Sequence, residues 1–276
     1  MPTQDSIPPV VLTIAGSDSS GGAGIQADIK ALSATGSYSC SVITAITAQN
    51  TLGVSTIHPV PLKYIESQLD AVFSDLDVAA VKVGMLVDSS VIKLVANKLK
   101  QYQPQYLVID PVMVSTSGQL LIEDSAIGTL REELLPMADL ITPNLPEGAA
   151  LTERGEPKDI YQIEGIIEPL RQLECKAVLL KGGHMEFSSN SSDLLILPDS
   201  VEWLHSRRHL TRNTHGTGCT LSSALASYLA QGYRLHKAVY LAKQYISQAI
   251  AHADQLKVGQ GRGPVHHFFD GHANVR

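Results

Sequence analysis

The feature that most restricts this chain is a repeated couple, in which a short apolar run closing on Gly, Pro or Asn is followed by residues at helical spacing. The clearest runs are residues 9–15 (PVVLTIA), 39–47 (SCSVITAIT), 78–84 (VAAVKVG), 106–112 (YLVIDPV), 138–144 (ADLITPN) and 177–183 (AVLLKGG). All are short and rich in β-branched residues, as strands are. Continuous apolar character, rather than alternation, means that both faces of such a sheet need cover. With the couple repeated at least five times, the expected class is α/β: a mostly parallel central sheet with helices on both faces. Helices are expected at about residues 61–75, 124–134 and 235–254, and a β-rich section (DLLILPD, VEWLHSRRHLTR) precedes the last of them. No low-complexity linker or charge block divides the chain, so one domain over residues 1–276 is the economical reading.

Ligands of open parallel sheets gather at the C-terminal strand edge, which gives weight to the polar residues found there. The first run opens into GSDSSGGAG and then a helical period through Ile25, Ile29 and Leu32. This loop is not a Walker A motif, because Gly22 follows where Lys-Ser/Thr is needed, and it lacks G-x-G-x-x-G, the main support for a nicotinamide dehydrogenase. Asp28 falls on the edge of that helix's buried face, where it either meets a polar ligand or answers a backbone donor. Gln49 offers a donor and an acceptor, enough to read the edge of a nitrogen heterocycle or to close a turn. Met85 follows the third run. Asp110 and Pro111 end the fourth, and Lys181 ends the sixth. Asn144 and Glu147 form an N-x-x-E spacing that caps a helix or holds Mg²⁺ through water. Lys243 shares a helical stripe with Tyr240 and Ile246, and either reaches inward or snorkels. The small-residue segment VMVSTSGQLL is either a mobile cover over a site or a surface loop. His205 and His209 are four apart in a β-rich section, where that spacing does not pair them as metal ligands. His266 and His267 find no role.

Residues 214–232, THGTGCTLSSALASYLAQG, predict a helix beginning near Gly218 and ended by Gly232 as its C′ residue. Its first amides have no intrahelical acceptor and lie at the positive end of the macrodipole, which makes the turn an anion seat. Cys219 lies in the first turn, where the field favours a thiolate. The alternative is a glycine loop capped by Thr217. A net charge of −6 without a basic stripe argues against a nucleic-acid surface, so any anion site is local. Three cysteines without C-x-x-C spacing suit reduced thiols, and the N-terminal apolar run is too short to cross a membrane. A cytoplasmic protein is expected.

Taken in order, TIAGSDSSGGAGIQADIKALSATG, CSVITAITAQNT, VKVGML, DPVM, ITPNLPE, LLKGGH, NTHGTGCTLSSALA and GPVHHF resemble the ribokinase-type kinases. Within them the likeness is to the hydroxymethylpyrimidine/phosphomethylpyrimidine kinases of thiamine synthesis, over nearly the whole chain. The resemblance implies a single-domain ribokinase-like fold and an ATP- and Mg²⁺-dependent kinase. Its acceptors would be 4-amino-5-hydroxymethyl-2-methylpyrimidine and the resulting monophosphate, and a homodimer is the expected assembly. It also implies that Gln49 reads the pyrimidine's amino and ring nitrogens, with Gly16, Asp28, Met85 and Val112 completing the pocket. Asn144 and Glu147 would help place Mg²⁺ and the triphosphate, with Asp110 close by. Lys181 and the turn from Thr214 to Cys219 would face the phosphates, with Gly216, Thr217 and Gly218 as the anion hole and Lys243 on the nucleotide side. Cys219 would accept the proton, at a place where related kinases carry Asp. Some relatives have Lys where this chain has Ser115-Thr116-Ser117, so no lid lysine is carried over. A pyridoxal or pyridoxine kinase, or a non-catalytic vitamin-binding regulator, are the competing readings.

Overall fold

A computed structural model describes residues 7–115, 118, 120–182 and 190–271. Thr116, Ser117 and Gln119 of the small-residue segment, Gly183 and the tail after Gly271 lie outside that range. In chain order the elements are β1 (Val10–Asp18), α1 (Gly24–Ala34), β2 (Tyr38–Asn50), β3 (Gly53–Pro59), α2 (Leu62–Asp75), β4 (Val78–Val83), α3 (Ser89–Tyr102), β5 (Tyr106–Ile109) and α4 (Asp124–Thr129). They continue with β6 (Leu140–Ile141), α5 (Leu145–Thr152), α6 (Ile160–Arg171), β7 (Val178–Leu180), β8 (Asn190–Ile196), β9 (Val201–Arg207), α7 (Thr217–Ala230) and α8 (Leu235–Ala251). Helix α4 runs on through a π-helical turn at Leu130–Leu134 and a 3₁₀ turn at Leu135–Met137.

The strands form one sheet in the order β3-β2-β1-β4-β5-β6-β7-β8-β9. From β2 to β7 all neighbours are parallel, while β3, β8 and β9 are antiparallel additions at the two edges. Successive strand residues point to opposite faces. Leu12, Ile14, Val81, Val83 and Ile109 therefore pack with α2–α6, whereas Val11, Ala80, Val108, Leu140 and Leu179 pack with α1, α7 and α8. This is the two-sided cover that the apolar runs require. From β1 the chain first moves to β2 on one side and later to β4 on the other, so the switch point lies between β1 and β4. Helix α7 packs over β1, β4 and β5 there.

Four elements depart from the sequence expectation. Strand β2 does not stop with the apolar run at residue 47 but continues through Gln49 and Asn50 and turns back into β3. Strand β3 is an edge strand with mostly half-buried and exposed residues, so it carries no continuous apolar run. Helix α6 was also not expected, because its buried stripe of Ile163, Ile166 and Leu170 is diluted by charged residues and contains Pro169. The run at 138–144 contributes only two strand residues, Leu140 and Ile141. All three cysteines are free thiols. Among the described residues no helix is long and apolar enough to cross a membrane.

Candidate active site

The face of the sheet under α7 changes from apolar to charged at the C-terminal ends of its strands. Lys82 continues the row of Ala80, Asp110 that of Val108, Thr142 that of Leu140 and Lys181 that of Leu179, two residues on in each case. Helix α7 ends this row. Gly216 is its N-cap at φ +77°, and no side chain caps the helix. The Thr217 hydroxyl donates to the Thr214 carbonyl at 2.5 Å, so the Thr217 cap is not realised. A Cβ on Gly216 would stand 1.8 Å from the Gly22 carbonyl oxygen. A Cβ on Gly218 would meet Lys181 Nζ at 3.2 Å and Asp110 Oδ2 at 3.3 Å. The uncapped helix end thus faces the Lys181–Asp110 pair across a gap that only glycine leaves open. At its other end Gly232 has φ +83°, and the Gly232 and Tyr233 amides donate to Leu229 and Tyr228, as a Schellman motif requires.

Lys181 Nζ lies 2.7 Å from Asp110 Oδ1 and 3.8 Å from Glu147 Oε2. Thr142 Oγ1 donates to the same Asp110 oxygen at 2.9 Å. Burial alone would raise Asp110, but the charges of Lys181 and Lys82 hold it below the usual carboxylate range. Burial, opposed by Lys181 and reinforced by Asp110, pushes Glu147 up to about 7. Asn144 and Glu147 form a complete capping box at the start of α5, with the Asn144 amide to Glu147 at 2.7 Å and the Glu147 amide to Asn144 at 2.8 Å. Capping is therefore realised, and it also fixes Glu147 beside Lys181. A carboxylate just after β5 and one in the first turn of α5 suit Mg²⁺, which takes one or two protein oxygens and completes its shell with water and phosphate. Among the described residues no cluster of three or more His, Cys, Asp or Glu side chains forms a closed metal cage.

On the other side of α7's first turn, Met85 belongs to a small apolar cluster with Ala45, Leu121, Ile57 and Val112. Gly16 borders it, since a Cβ there would lie 3.0 Å from Met85 Sδ. Gln49 stands near this pocket with its carboxamide nitrogen 3.4 Å from His215 Nε2. Strand ends, an apolar slot and an uncapped helix end are thus gathered at one switch point.

The sequence model of the family described as phosphomethylpyrimidine kinase matches residues 18–266. The chain belongs to that family. It is 50% identical over 259 residues to the hydroxymethylpyrimidine/phosphomethylpyrimidine kinase of Rhizobium meliloti, covering 94% of this chain and 97% of that protein. The solved phosphomethylpyrimidine kinase of Clostridium difficile 630 is 45% identical with a TM-score of 0.77, over 88% of this chain and 99% of that one. The ADP complex of Bacillus subtilis pyridoxal kinase is 34% identical with a TM-score of 0.87, over 95% and 98%.

For a member of this kinase family, three residues stand differently from the sequence expectation. Asp28, expected at the pocket, is fully buried and paired with Lys82 at 2.9 Å, and it also accepts from Thr13 Oγ1 at 2.6 Å and Ser223 Oγ at 2.8 Å. Both of its oxygens are engaged by these three side chains. Lys243 reaches inward but pairs with buried Asp193, whose other oxygen accepts the Gly182 amide at 3.0 Å; its charge is directed to the base of the Lys181 strand end rather than to solvent. The field at α7 does not favour a Cys219 thiolate. Burial outweighs the Lys82 charge and pushes the thiol up to about 11. Sequence reasoning missed Lys82, although a lysine inside an otherwise apolar run was a visible signal. It also missed Asp18 and His215, which lie inside glycine-rich stretches and have no local partner in sequence. His267 packs under α7 against Thr220 Oγ1 at 2.9 Å.

Proposed function

We propose that this chain, as one domain spanning residues 1–276 and assembled as a cytoplasmic homodimer, transfers the γ-phosphoryl group of ATP to the hydroxymethyl oxygen of 4-amino-5-hydroxymethyl-2-methylpyrimidine, and then phosphorylates that monophosphate. The observation that carries the reading is the uncapped amino end of α7, aimed at Lys181 and Asp110 beside the slot of Gly16, Met85 and Val112. In the first step an oxygen–phosphorus bond forms at the acceptor, the bond from the γ-phosphorus to the bridging oxygen breaks, and ADP leaves with that electron pair. Phosphoryl transfer asks mainly for alignment and charge neutralisation. The amides of Gly216, Thr217, Gly218 and Cys219 supply the neutralisation, and donors of this kind are worth about 3–4 kcal/mol each when removed. Thr214 shapes the turn through its carbonyl, Lys181 meets the phosphates, and Gln49 bonds the ring's amino group and nitrogen. Asp110 and Glu147, with Asn144 fixing the latter, hold Mg²⁺. The ion would neutralise phosphate charge when bound. Lys243 acts through Asp193.

Cys219 is the proton acceptor in this reading. With its thiol held at about 11, the thiolate is a minor species at pH 7. Transfer that depends on it accelerates nearly tenfold per pH unit until another step limits. The likeness to pyridoxal kinases makes pyridoxal the competing acceptor, because its ring also bears a hydroxymethyl group. A coupled assay of ADP release with the pyrimidine alcohol, its monophosphate and pyridoxal tests the proposal. Turnover with pyridoxal alone would overturn it, and so would ligand binding without ADP release.

A further inference from the structure

The Asp18 carboxylate ties together parts of the site that are far apart in sequence. Its Oδ1 accepts the Ser20 amide at 2.8 Å and hydroxyl at 2.7 Å, and its Oδ2 accepts the amides of Gly22 at 3.0 Å and Ala23 at 2.8 Å. The same Oδ2 lies 2.8 Å from His215 Nε2, and both side chains are buried. An ionised carboxylate only accepts, so His215 donates its Nε2–H. His215 is the residue between Thr214 and Gly216, and its own amide is fixed to the Gly263 carbonyl at 3.0 Å. There is no slack between the two loops. A Cβ on Gly22 would lie 2.3 Å from His215 Cδ2, and one on Gly216 would lie 1.8 Å from the Gly22 oxygen. The loop after β1 also grips Gln49: Ser19 Oγ donates to the Gln49 carbonyl at 2.7 Å and accepts its amide at 2.9 Å. Gln49 is therefore held by the loop along its backbone, while its carboxamide oxygen accepts from Thr47 Oγ1 at 3.2 Å and its carboxamide nitrogen lies 3.4 Å from the His215 ring without bonding to it.

We propose that His215, acting through Asp18, is a positioning residue that couples the phosphate turn to the acceptor pocket, so that nucleotide bound at residues 214–219 orders residues 18–23 and Gln49. The inference rests on the reading of that turn as the phosphate seat and of Gln49 as the ring reader. Coupling of this kind is reciprocal, and typical values lie at about 5–150-fold in affinity. A residue with only a structural role would lower the melting temperature and leave the ratio of affinities unchanged.

The test is calorimetric titration of the full chain with hydroxymethylpyrimidine, with and without saturating β,γ-methylene-ATP. In the unaltered protein the analogue is expected to tighten pyrimidine binding about tenfold. His215→Leu reduces that ratio to below about twofold, while His215→Gln, which still carries a donor for Asp18, keeps most of it. Amide exchange at residues 19–24 with β,γ-methylene-ATP alone is the second readout and needs no pyrimidine. The analogue slows exchange there in the unaltered protein and in His215→Gln, but not in His215→Leu. If His215→Leu fails to fold, Asp18→Asn gives the same two readouts. An unchanged affinity ratio together with unchanged protection in a folded variant overturns the proposal. Absence of pyrimidine binding, with protection present and then lost in His215→Leu, sinks the substrate reading and supports the coupling.

Discussion

Lys82 and Asp28 offer the sharpest test of how the site is supported. Both are fully buried, and the Lys82 ammonium makes two contacts of 2.9 Å with the Asp28 carboxylate. Burial works against the ammonium, but Asp28 above all keeps it protonated, and Lys82 titrates above its ordinary range. Lys82→Met fits the volume but leaves the carboxylate with Thr13 and Ser223 as its remaining side-chain donors. Removing one partner of a buried pair costs about 3–5 kcal/mol. For a chain of this length that corresponds to a fall in melting temperature of about 6–10 °C. Adding Asp28→Asn removes the uncompensated charge. One hydroxyl then donates to the amide oxygen while the other turns to accept from its nitrogen, so the double variant recovers to within about 1–2 kcal/mol of the starting protein. Urea and thermal unfolding of the two single variants and the double variant close a cycle. The pair reasoning is refuted if Lys82→Met loses less than about 1 kcal/mol, or if the double variant is no more stable than Lys82→Met.

Three further outcomes are expected. If the thiolate of Cys219 takes the proton, turnover of the unaltered enzyme rises with pH between 6 and 8.5 with a slope near one on logarithmic axes, and Cys219→Ser is slow and flat; a flat profile in the unaltered enzyme removes the base role. Gln49→Ala weakens pyrimidine binding about 10- to 100-fold through lost hydrogen bonds while nucleotide affinity holds, and calorimetry showing an unaltered pyrimidine affinity refutes the assignment. Burial, with smaller effects from Lys30 and His266, depresses His267 to about 3, so the unfolded chain binds the extra proton and stability is lost as pH falls from 6.5 toward 3. Glu147, pushed up to about 7, acts in the opposite sense between 7 and 4.5. Asp18, held at about 2 by His215 and Ser20 against burial, adds acid sensitivity only below 3.8. His267→Gln is therefore expected to flatten the loss of urea resistance between pH 6.5 and 5, and identical slopes would contradict the assignment.

Most of the frame was legible because parallel strands covered on both faces have a local signature. The six apolar runs map onto β1, β2, β4, β5, β6 and β7 in order, and the Gly232 stop of α7 was visible in sequence. The hairpin partner β3 and helix α6 were not, because an edge strand and a solvated helix bury too little to leave an uninterrupted apolar run. Asp110, Asn144, Glu147 and Lys181 could be picked out because the fold class itself says where ligands gather, whereas Gly16 and Val112 came only from the family resemblance. Charge partners could not. Asp28 with Lys82 and Asp18 with His215 are separated by 54 and 197 residues, and nothing local to either member names the other. The helix-end field at Cys219 was a sound local argument, but it is overridden by burial, a property of the assembled fold.

The charged row also bears on the Mg²⁺ proposed for this site. Lys82 is matched to Asp28, Lys243 to Asp193, and Lys181 to Asp110 with Glu147 nearby. Lys82, Lys181 and Lys243 are thus each engaged by a carboxylate, and the helix end, which no side chain caps, adds an attraction for phosphate. Drawing Lys181 toward a phosphate weakens its hold on two neighbouring carboxylates. Asp110 is kept low largely by that lysine, and Glu147 by burial stands near neutrality. A triphosphate and two released carboxylates in one small volume repel one another unless a cation enters with the nucleotide. In the proposed function, nucleotide and divalent ion would bind together because Lys181 has one charge and more than one claimant. On that proposal, the pairing of Lys181 with Asp110 and Glu147 is the reason that a divalent ion would accompany the nucleotide.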